Sequence, residues 1–251
     1  MLRQGPILMS VLIEVNQLTK SFGPFKAVDD ITFKLNRGEV LGFLGPNGAG
    51  KTTTMRMITG FLPATSGSIK VCGNSVHKEP IAVKEKIGYV PEGAPLYGEM
   101  TVISFLKFIS SIRKIKKEYI EKSINNAIDK LGLEKVLYQQ IETLSKGYKR
   151  RVGLAQAILH DPDVLILDEP TDGLDPNQKH EVRKLITEMS KSKAIIISTH
   201  ILEEVDAVCS RAMIIANGKL IVDKTPQALL DTGTNNETLD DVFRTLTIGK
   251  K

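Results

Sequence analysis

Apolar runs separated by turn signals organise the first hundred residues. Short runs at 13–15, 31–35 and 40–44 predict strands, with a turn at Arg37 and Gly38 before the third. A Gly-rich loop follows, and a helix is predicted from Lys51 to near Gly60. Residues 69–72 and 87–90 are further predicted strands. This part of the chain therefore reads as short strands around one helix.

The pattern changes to helical spacing at Thr101. Apolar residues recur every three or four positions over 105–112 and 120–131, and Gly132 ends the second of these helices. Continuous apolar runs return at 164–167 and 194–197, as is typical of parallel strands covered on both faces. We predict one domain over 1–251, in which 1–100 and 161–251 form an α/β core and 101–160 a helical subdomain.

Both ends of the chain carry short local signals. Asn217 and Gly218 predict a hairpin between 212–216 and 219–222, and two helices are expected to start at Thr225 and Thr238. The apolar stretch 7–13 is interpreted as a leader and first strand, not a signal peptide. No window of about eighteen uninterrupted apolar residues occurs, so a membrane role is expected to run through a partner chain.

Charge and cysteine content narrow the classes of function. The 251 residues include 34 basic and 29 acidic side chains, and the net charge of +5 suits a nucleotide, a nucleic acid or an anionic membrane alike. Cys72 and Cys209 are the only cysteines, and neither has a C-x-x-C neighbour. This pattern argues against a disulfide framework or a zinc site and favours a reduced, cytosolic location.

The loop after the third predicted strand has the full pattern G-x-x-x-x-G-K-[ST]. Its glycines permit backbone conformations that a side chain forbids, so that successive N–H groups point to one place at the start of a helix. A triphosphate is the natural ligand, with Lys51 on its β- and γ-phosphates and the Thr52 hydroxyl on Mg²⁺. The alternative is a Gly-rich turn with a chance lysine. The expected nucleotide-binding residues here are Gly45, Pro46, Asn47, Gly48, Ala49, Gly50, Lys51, Thr52 and Thr53.

A carboxylate pair ends the apolar run at 164–167. Asp168 and Glu169 are thereby placed at the carboxyl edge of the predicted sheet, where open α/β folds bind their ligands. Asp168 is expected to hold Mg²⁺, and Glu169 to act as general base on the attacking water. A solvated strand end before the turn at Pro170 is the alternative.

A third segment indicates the kind of nucleotide-binding protein. Residues 144–148 read Leu-Ser-Lys-Gly-Tyr, and Ser145 is a good N-cap for the helix that follows. With the Gly147 backbone it forms a second helix start able to meet a phosphate, although a capped core helix explains it equally well in isolation. The segment resembles the LSGGQ signature of the ABC ATPases, and it precedes Asp168 by the distance that this family shows.

The resemblance extends over most of the chain and implies further roles. Phe22 resembles the A-loop aromatic residue that stacks on adenine, and Glu92 lies at the position of the Q-loop. Asp175, in Gly-Leu-Asp at 173–175, resembles the D-loop, and His200 resembles the switch histidine that senses the γ-phosphate. The implied catalytic residues are Glu169 and His200; the implied metal ligands are Thr52, Glu92 and Asp168; the nucleotide is also expected to contact Phe22, Ser145, Gly147 and Asp175.

Three residues depart from the family pattern. Lys146 replaces the first signature glycine, Tyr148 the signature glutamine, and Glu92 the Q-loop glutamine. Together with Leu-Asp-Asp-Val-Phe at 239–243, they resemble the subgroup that serves ABC-2-type exporters.

The resemblance implies a P-loop NTPase fold of the ABC type. In that fold a mixed sheet carries an antiparallel β subdomain and an inserted helical subdomain. It also implies an ATPase that powers transport, in the direction of export, through a separate transmembrane permease. Two ATPase subunits form a head-to-tail dimer around ATP and Mg²⁺, for which a homodimer is expected and a heterodimer stays open. The location implied is the cytoplasmic face of the cell membrane.

Two other classes of function also use a P-loop. A soluble ABC ATPase acting on nucleic acid or ribosomes usually carries a long coiled coil or two fused cassettes, which this chain lacks, so no nucleic acid is expected. A P-loop kinase does not explain the signature segment at 144–148.

Two surface features complete the expectations. The loop 92–101 exposes Leu96, Tyr97 and Met100 on this reading, and by resemblance the groove beside it receives the coupling helix of the permease. The basic run 113–117 is either the solvent face of an amphipathic helix or a contact for lipid headgroups.

Overall fold

Two sheets and the helices around them make up the described part of the chain, which in the computed structural model is residues 10–93, 95–231 and 239–248. The strands are β1 (Val11–Phe22), β2 (Phe25–Asn36), β3 (Val40–Leu44), β4 (Ser66–Val71), β5 (Asn74–Ser75), β6 (Ile87–Val90), β7 (Val164–Asp168), β8 (Ala194–Ser198), β9 (Arg211–Ala216) and β10 (Lys219–Lys224). The α-helices are α1 (Lys51–Ile58), α2 (Pro80–Lys86), α3 (Val102–Ile112), α4 (Lys117–Leu131), α5 (Lys146–Ile158), α6 (Pro176–Ser190), α7 (Leu202–Val208), α8 (Pro226–Leu230) and α9 (Leu239–Ile248).

The larger sheet has six strands in the order β10-β9-β3-β8-β7-β6. Its neighbours pair in parallel from β9 to β6, whereas β10 returns antiparallel to β9. Every residue of β3, β7 and β8 is buried. Alternate side chains of β7 enter two different apolar clusters, Leu165 with the helices and Ile166 with the second sheet. The continuous apolar runs are therefore confirmed as strands covered on both faces.

The second sheet is antiparallel and has the order β2-β1-β4-β5. Its apolar side chains, such as Val15 and Phe33, share a core with α1 and one face of the larger sheet. The Phe33 and Phe43 rings meet there edge to face, 5.4 Å apart. The expected α/β fold with a mixed sheet and an antiparallel β portion is confirmed.

Helix caps lie at several of the predicted positions. The Thr101 hydroxyl accepts a hydrogen bond from Ser104 N–H at the start of α3, and Thr225 caps α8 in the same way. Gly132 ends α4 with φ 59°, a left-handed conformation that glycine adopts without strain. The hairpin between β9 and β10 turns at Asn217 and Gly218, both of positive φ, as expected for a two-residue turn.

Four of these strands and α-helices were not predicted: β5, α2, α6 and α7. The longest, α6, buries Val182, Leu185, Ile186 and Met189 along one face. This is helical spacing, but the many charged residues between these positions hide it in a search for apolar runs.

The basic run 113–117 is not a helix face, and that prediction was wrong. Arg113 ends α3, Lys114 turns the chain with φ 53°, and Lys117 starts α4. Thr238 and residues 7–9, which entered two sequence predictions, lie outside the described residues. Among the residues that are described, no helix is both long and apolar enough to span a bilayer.

Candidate functional site

The Gly-rich loop between β3 and α1 is shaped by two kinds of glycine. Gly48 and Gly50 have φ values of 80° and 108°, which side chains rarely adopt. Gly45 has no positive φ, but a Cβ there would overlap the carbonyl oxygen of Ile215 in β9. The prediction that Gly45 is needed for its backbone conformation was therefore wrong. Glycine is required there because the chain packs closely against β9. The loop packs against β9 at the carboxyl ends of the strands, and it leads into the N-terminus of α1.

Lys51, the first residue of α1, is buried although it is a cation. Its Nζ donates hydrogen bonds to the carbonyl oxygens of Gly45, at 2.6 Å, and Pro46, at 3.2 Å. Burial lowers the pKa of Lys51, and the nearby carboxylates of Glu169, Asp168 and Glu92 oppose that shift. The ammonium group is thus held by the loop and lies near acidic side chains. From this position it can neutralise the negative charge of a phosphate.

A cavity of about 700 Å³ opens over the loop and is called the nucleotide cavity below. It brings together most of the residues that the sequence predicted for nucleotide, metal and catalysis, with three additions. Its lining consists of Phe22, Phe25, Ala27, Asn47, Gly48, Ala49, Gly50, Lys51, Thr52, Thr53, Glu92, Asp168, Glu169, Asp172 and His200.

Asp168 ends β7 at the floor of this cavity and is 1% exposed. One carboxylate oxygen, Oδ1, accepts a hydrogen bond from the Ser198 hydroxyl at the end of β8. The other, Oδ2, is buried and has no hydrogen-bond partner among the described residues. A buried carboxylate oxygen without a donor is suited to a cation, so this side chain fits a Mg²⁺ ligand, with Thr52 in the same lining.

Glu169 is held through its backbone as well as its side chain. It has φ 49°, its N–H donates to the carbonyl oxygen of Ser198 at 3.1 Å, and its own carbonyl accepts from the buried guanidinium of Arg150. Burial raises the pKa of the Glu169 carboxyl, while the hydrogen bond from His200 lowers it. A carboxylate with a raised pKa beside a bound water can accept a proton from that water.

His200 follows β8 and meets Glu169 across the cavity. Its Nδ1 lies 3.1 Å from both carboxylate oxygens of Glu169, an arrangement that requires the proton on Nδ1. Glu92, two residues beyond β6, is exposed and lies in the same lining. The structure therefore brings the acid pair, the histidine and Glu92 to one side of the Gly-rich loop.

Three predicted nucleotide contacts lie away from the nucleotide cavity of their own chain. The Ser145 hydroxyl caps α5 by accepting from Tyr148 N–H at 3.4 Å, and Gly147 is buried in the first turn of that helix. The Asp175 carboxylate accepts from Gln178 N–H at 2.9 Å and caps α6. Gly45 and Pro46, at the start of the Gly-rich loop, also lie outside the lining. The nucleotide roles of these residues stay predictions.

The family pattern described as ABC transporter matches residues 28–172. The bacitracin transport ATP-binding protein BcrA of Bacillus licheniformis is 38% identical over 85% of this chain and 69% of its own length. The probable multidrug ABC transporter ATP-binding protein YbhF of Escherichia coli is 36% identical over 91% of this chain, which spans only 40% of that relative. The chain belongs to the ABC transporter ATP-binding family. A solved ATP-binding subunit of an ABC transporter superposes with a TM-score of 0.86 at 30% identity, covering 94% of this chain and 99% of that one.

Membership of the ABC family confirms the expected ATP and the expected activity, because ABC ATPase domains hydrolyse ATP to power transport. The cavity also contains residues that sequence reasoning missed. Phe25 pairs with Phe22 across the β1–β2 turn and is 61% exposed. The sequence signal that could have revealed Phe25 is its position, because Phe22 and Phe25 flank a Gly-Pro turn. Ser198 and Arg150 carried no such signal, because they reach the acid pair from distant elements.

The ABC ATPase chain also carries a second and larger cleft, called the apolar groove. It measures about 820 Å³ and lies between α1, α2 and β6 on one side and α3, α4 and α5 on the other. Phe61, Ile81 and Ile112 line it and are 67%, 70% and 57% exposed. The loop 92–101 is less exposed than predicted. Leu96 and Met100 are half-buried against the core, and Tyr97 alone of the three is exposed.

Proposed function

We propose that this chain is the ATP-hydrolysing motor of an exporter whose membrane-spanning permease is a separate chain. The observation that carries the proposal is the nucleotide cavity, which places Lys51 of the Gly-rich loop, the Asp168–Glu169 pair and His200 around one space. Two relatives, a bacitracin transport protein and a probable multidrug transporter, support the direction of export.

Within the cavity each side chain has a role that its surroundings support. Lys51 and the loop N–H groups bind the phosphates, and Phe22 stacks on the base. Thr52, Asp168 and Glu92 hold Mg²⁺, for which the unpartnered Oδ2 of Asp168 is the strongest support. The metal supplies charge neutralisation at the phosphates.

Hydrolysis is assigned to Glu169 and His200. Glu169 orients the attacking water and accepts its proton, which its raised pKa favours over a fully solvated carboxylate. His200 holds the Glu169 side chain through Nδ1 and leaves its other ring nitrogen to sense the γ-phosphate.

The site is completed by a second subunit. Ser145 and Gly147 lie outside the nucleotide cavity of their own chain, so a head-to-tail pair, which we expect to be a homodimer, is needed to bring them to a nucleotide. ATP then favours the closed pair because it contacts both chains. The segment 101–160 acts as a subdomain that carries this signature turn, defined as residues 145–147.

The dimer is tested with Glu169→Gln, because an amide cannot accept the proton and the ATP state persists. Light scattering is expected to give a dimer mass with MgATP and a monomer mass with MgADP. Glu188→Gln, an exposed glutamate on α6, is the control and should stay monomeric under turnover. A monomer mass for Glu169→Gln at saturating MgATP, with the permease present as well, contradicts the proposal.

The partner is a transmembrane permease, and the apolar groove is its docking site. Its exposed phenylalanine and isoleucine side chains offer a surface that an apolar helix of the permease covers. Docking there makes the chain peripheral on the cytoplasmic face of the membrane. No nucleic acid is required by any feature of the cavity or the groove.

A further inference from the structure

The first turns of α5 and α6 lie against each other within one chain. Gly147, in the first turn of α5, is buried, and its φ is not in the left-handed region. A Cβ built on Gly147 overlaps the carboxamide of Gln178, whose Cδ would be only 2.6 Å away. The backbone conformation at position 147 is therefore open to any residue. What excludes a side chain there is the space that the Gln178 carboxamide occupies.

Gln178 has a second task at the same place. It is the third residue of α6 and belongs to a capping box, in which its N–H donates to Asp175 Oδ1 at 2.9 Å. Its own Oε1 accepts from Asp175 N–H at 3.4 Å. The carboxamide therefore lies between the Cα of Gly147 and the backbone of Asp175.

The same two segments approach each other at a second place. The Cδ of Lys146 lies 3.9 Å from the Cβ position of Gly173, which has φ 70°. Lys146, Gly173 and Asp172 also line one cleft of about 490 Å³. The signature turn and the segment 172–178 thus lie side by side.

We infer that Gln178 is a positioning residue that sets the distance between the signature turn and Asp175. The inference rests on the proposed function, in which both segments face the second subunit. It also explains, from contacts within one chain, why position 147 is a glycine. A side chain there displaces the carboxamide, opens the capping box and shifts the signature turn. Displacements of about 1 Å at such a turn can lower turnover by about 100-fold.

A double-mutant cycle tests this inference on the full chain with its partner. Gly147→Ala is expected to lower kcat by up to about 100-fold, while the affinity of the monomer for ATP stays unchanged. Adding Gln178→Ala removes the overlapping group, so the double variant should regain at least about tenfold in kcat over Gly147→Ala. If the double variant is no faster than Gly147→Ala, the glycine is required from across the interface and the inference is overturned.

Conservative replacement separates positioning from simple packing. Gln178→Glu keeps an oxygen that accepts from Asp175 N–H, so its kcat should remain close to that of the wild type. Gln178→Leu fills the same space without an acceptor and should lose kcat as Gln178→Ala does, by less than Gly147→Ala. Equal kcat for the Glu and Leu variants contradicts a role for the hydrogen bond.

A readout on the nucleotide-free monomer is independent of dimer formation. Gly147→Ala should shift the amide resonance of Asp175 in the NMR spectrum, although the two residues are far apart in sequence. Gln227→Ala, an exposed glutamine bonded within α8, is the control and should leave it in place. An unmoved Asp175 resonance in Gly147→Ala overturns the inference. A shifted resonance without any ATP-dependent dimer upholds the contact and overturns the proposed function instead.

Discussion

Glu169 illustrates how neighbouring elements fix a single residue. A left-handed backbone at a residue other than glycine costs about 1 kcal/mol. Glu169 adopts it because β8 receives its N–H and Arg150 of α5 donates to its carbonyl. The side chain is then directed to His200 and the nucleotide cavity. The position of the proposed general base is thus decided by hydrogen bonds from two other segments.

At the same scale, Phe25 is expected to share base binding with Phe22. The Nζ of Lys20 lies 5.1 Å from the centre of the Phe22 ring, so the base would share that ring with an ammonium group. The exposed Phe25 offers the base a second aromatic surface. Phe25→Ala should weaken ATP binding about tenfold, as loss of one base–aromatic contact does, and leave tripolyphosphate binding unchanged. Calorimetric titration measures both. Phe61→Ala, an exposed phenylalanine in the apolar groove, is the control. An unaltered ATP affinity in Phe25→Ala would exclude the contact.

Glu92 provides a test of the metal site. A carboxylate is a stronger ligand for a hard cation than the amide that the family has there. We expect Glu92→Gln to raise the Mg²⁺ concentration for half-maximal ATPase, while ATP binding without metal is unaffected. Glu99→Gln, an exposed glutamate of the following loop, serves as the matched variant. Superimposable Mg²⁺ titrations would mean that Glu92 does not face the metal.

At the scale of elements, α5 connects the signature turn with the sheet. Its first turn carries Gly147, and its far end is bonded to β6, where Gln156 donates to the Tyr89 carbonyl at 3.0 Å. Gly88 of β6 allows this approach, because a Cβ there would overlap the Ala157 carbonyl. Since β6 leads to Glu92, the helix and the strand place two parts of the proposed site relative to each other.

His160, just past the end of α5, should make stability depend on pH. Its Nε2 lies 3.1 Å from the Ile87 carbonyl, and burial lowers the pKa of His160 to about 4, from an ordinary 6.5. Between these values the unfolded chain binds a proton that the folded chain does not. The free energy of unfolding should therefore fall as pH drops through this window, by up to about 3 kcal/mol from this group.

Urea unfolding at several pH values checks this expectation. In His160→Gln the decline between pH about 6.5 and about 4 should be smaller than in the wild type, because the glutamine does not titrate. His77→Gln, which replaces an exposed histidine, should follow the wild type. An equally steep decline in His160→Gln would assign the pH dependence to other groups.

At the scale of the whole molecule, the larger sheet separates two cores. Leu167, Ile197 and Ile214 pack with the helices, whereas Ile166 and Ile196 pack with the antiparallel sheet and α1. The nucleotide cavity lies at the carboxyl ends of the parallel strands, where their last residues meet. The apolar groove lies between the helical side and β6, so an occupant there touches both halves.

The groove and the loop at 92–101 make different predictions for membrane association. Phe61→Asp with Ile112→Asp changes two exposed groove residues, so folding and ATP binding should persist while the membrane-bound fraction of the chain falls severalfold. Leu96→Asp with Tyr97→Asp tests the loop. Tyr138→Asp, at an 82% exposed tyrosine, controls for added charge. Sedimentation with membranes from cells that also produce the permease measures all three, and undiminished association of the groove variant would remove the groove from the interface.

Much of the site could be predicted because its signals are local. The strand-to-helix loop, the acid pair after an apolar strand and the cap at Ser145 each occupy a few consecutive residues. Their conformations follow from glycine, strand burial and N-capping at those residues themselves. The burial of Leu96 could not be judged in this way, since it depends on the core cluster against which this side chain packs.

The sequence by itself determined the α/β class, the family and the residues proposed to reach the phosphates, because those depend on patterns within short segments. The tertiary structure alone decided which distant groups meet them: Ser198 on Asp168, Arg150 on Glu169 and Gln178 on Gly147. Such contacts join residues on different strands and helices. Their geometry is set by how the sheet stacks against its helices, for which a single sequence carries no local signal.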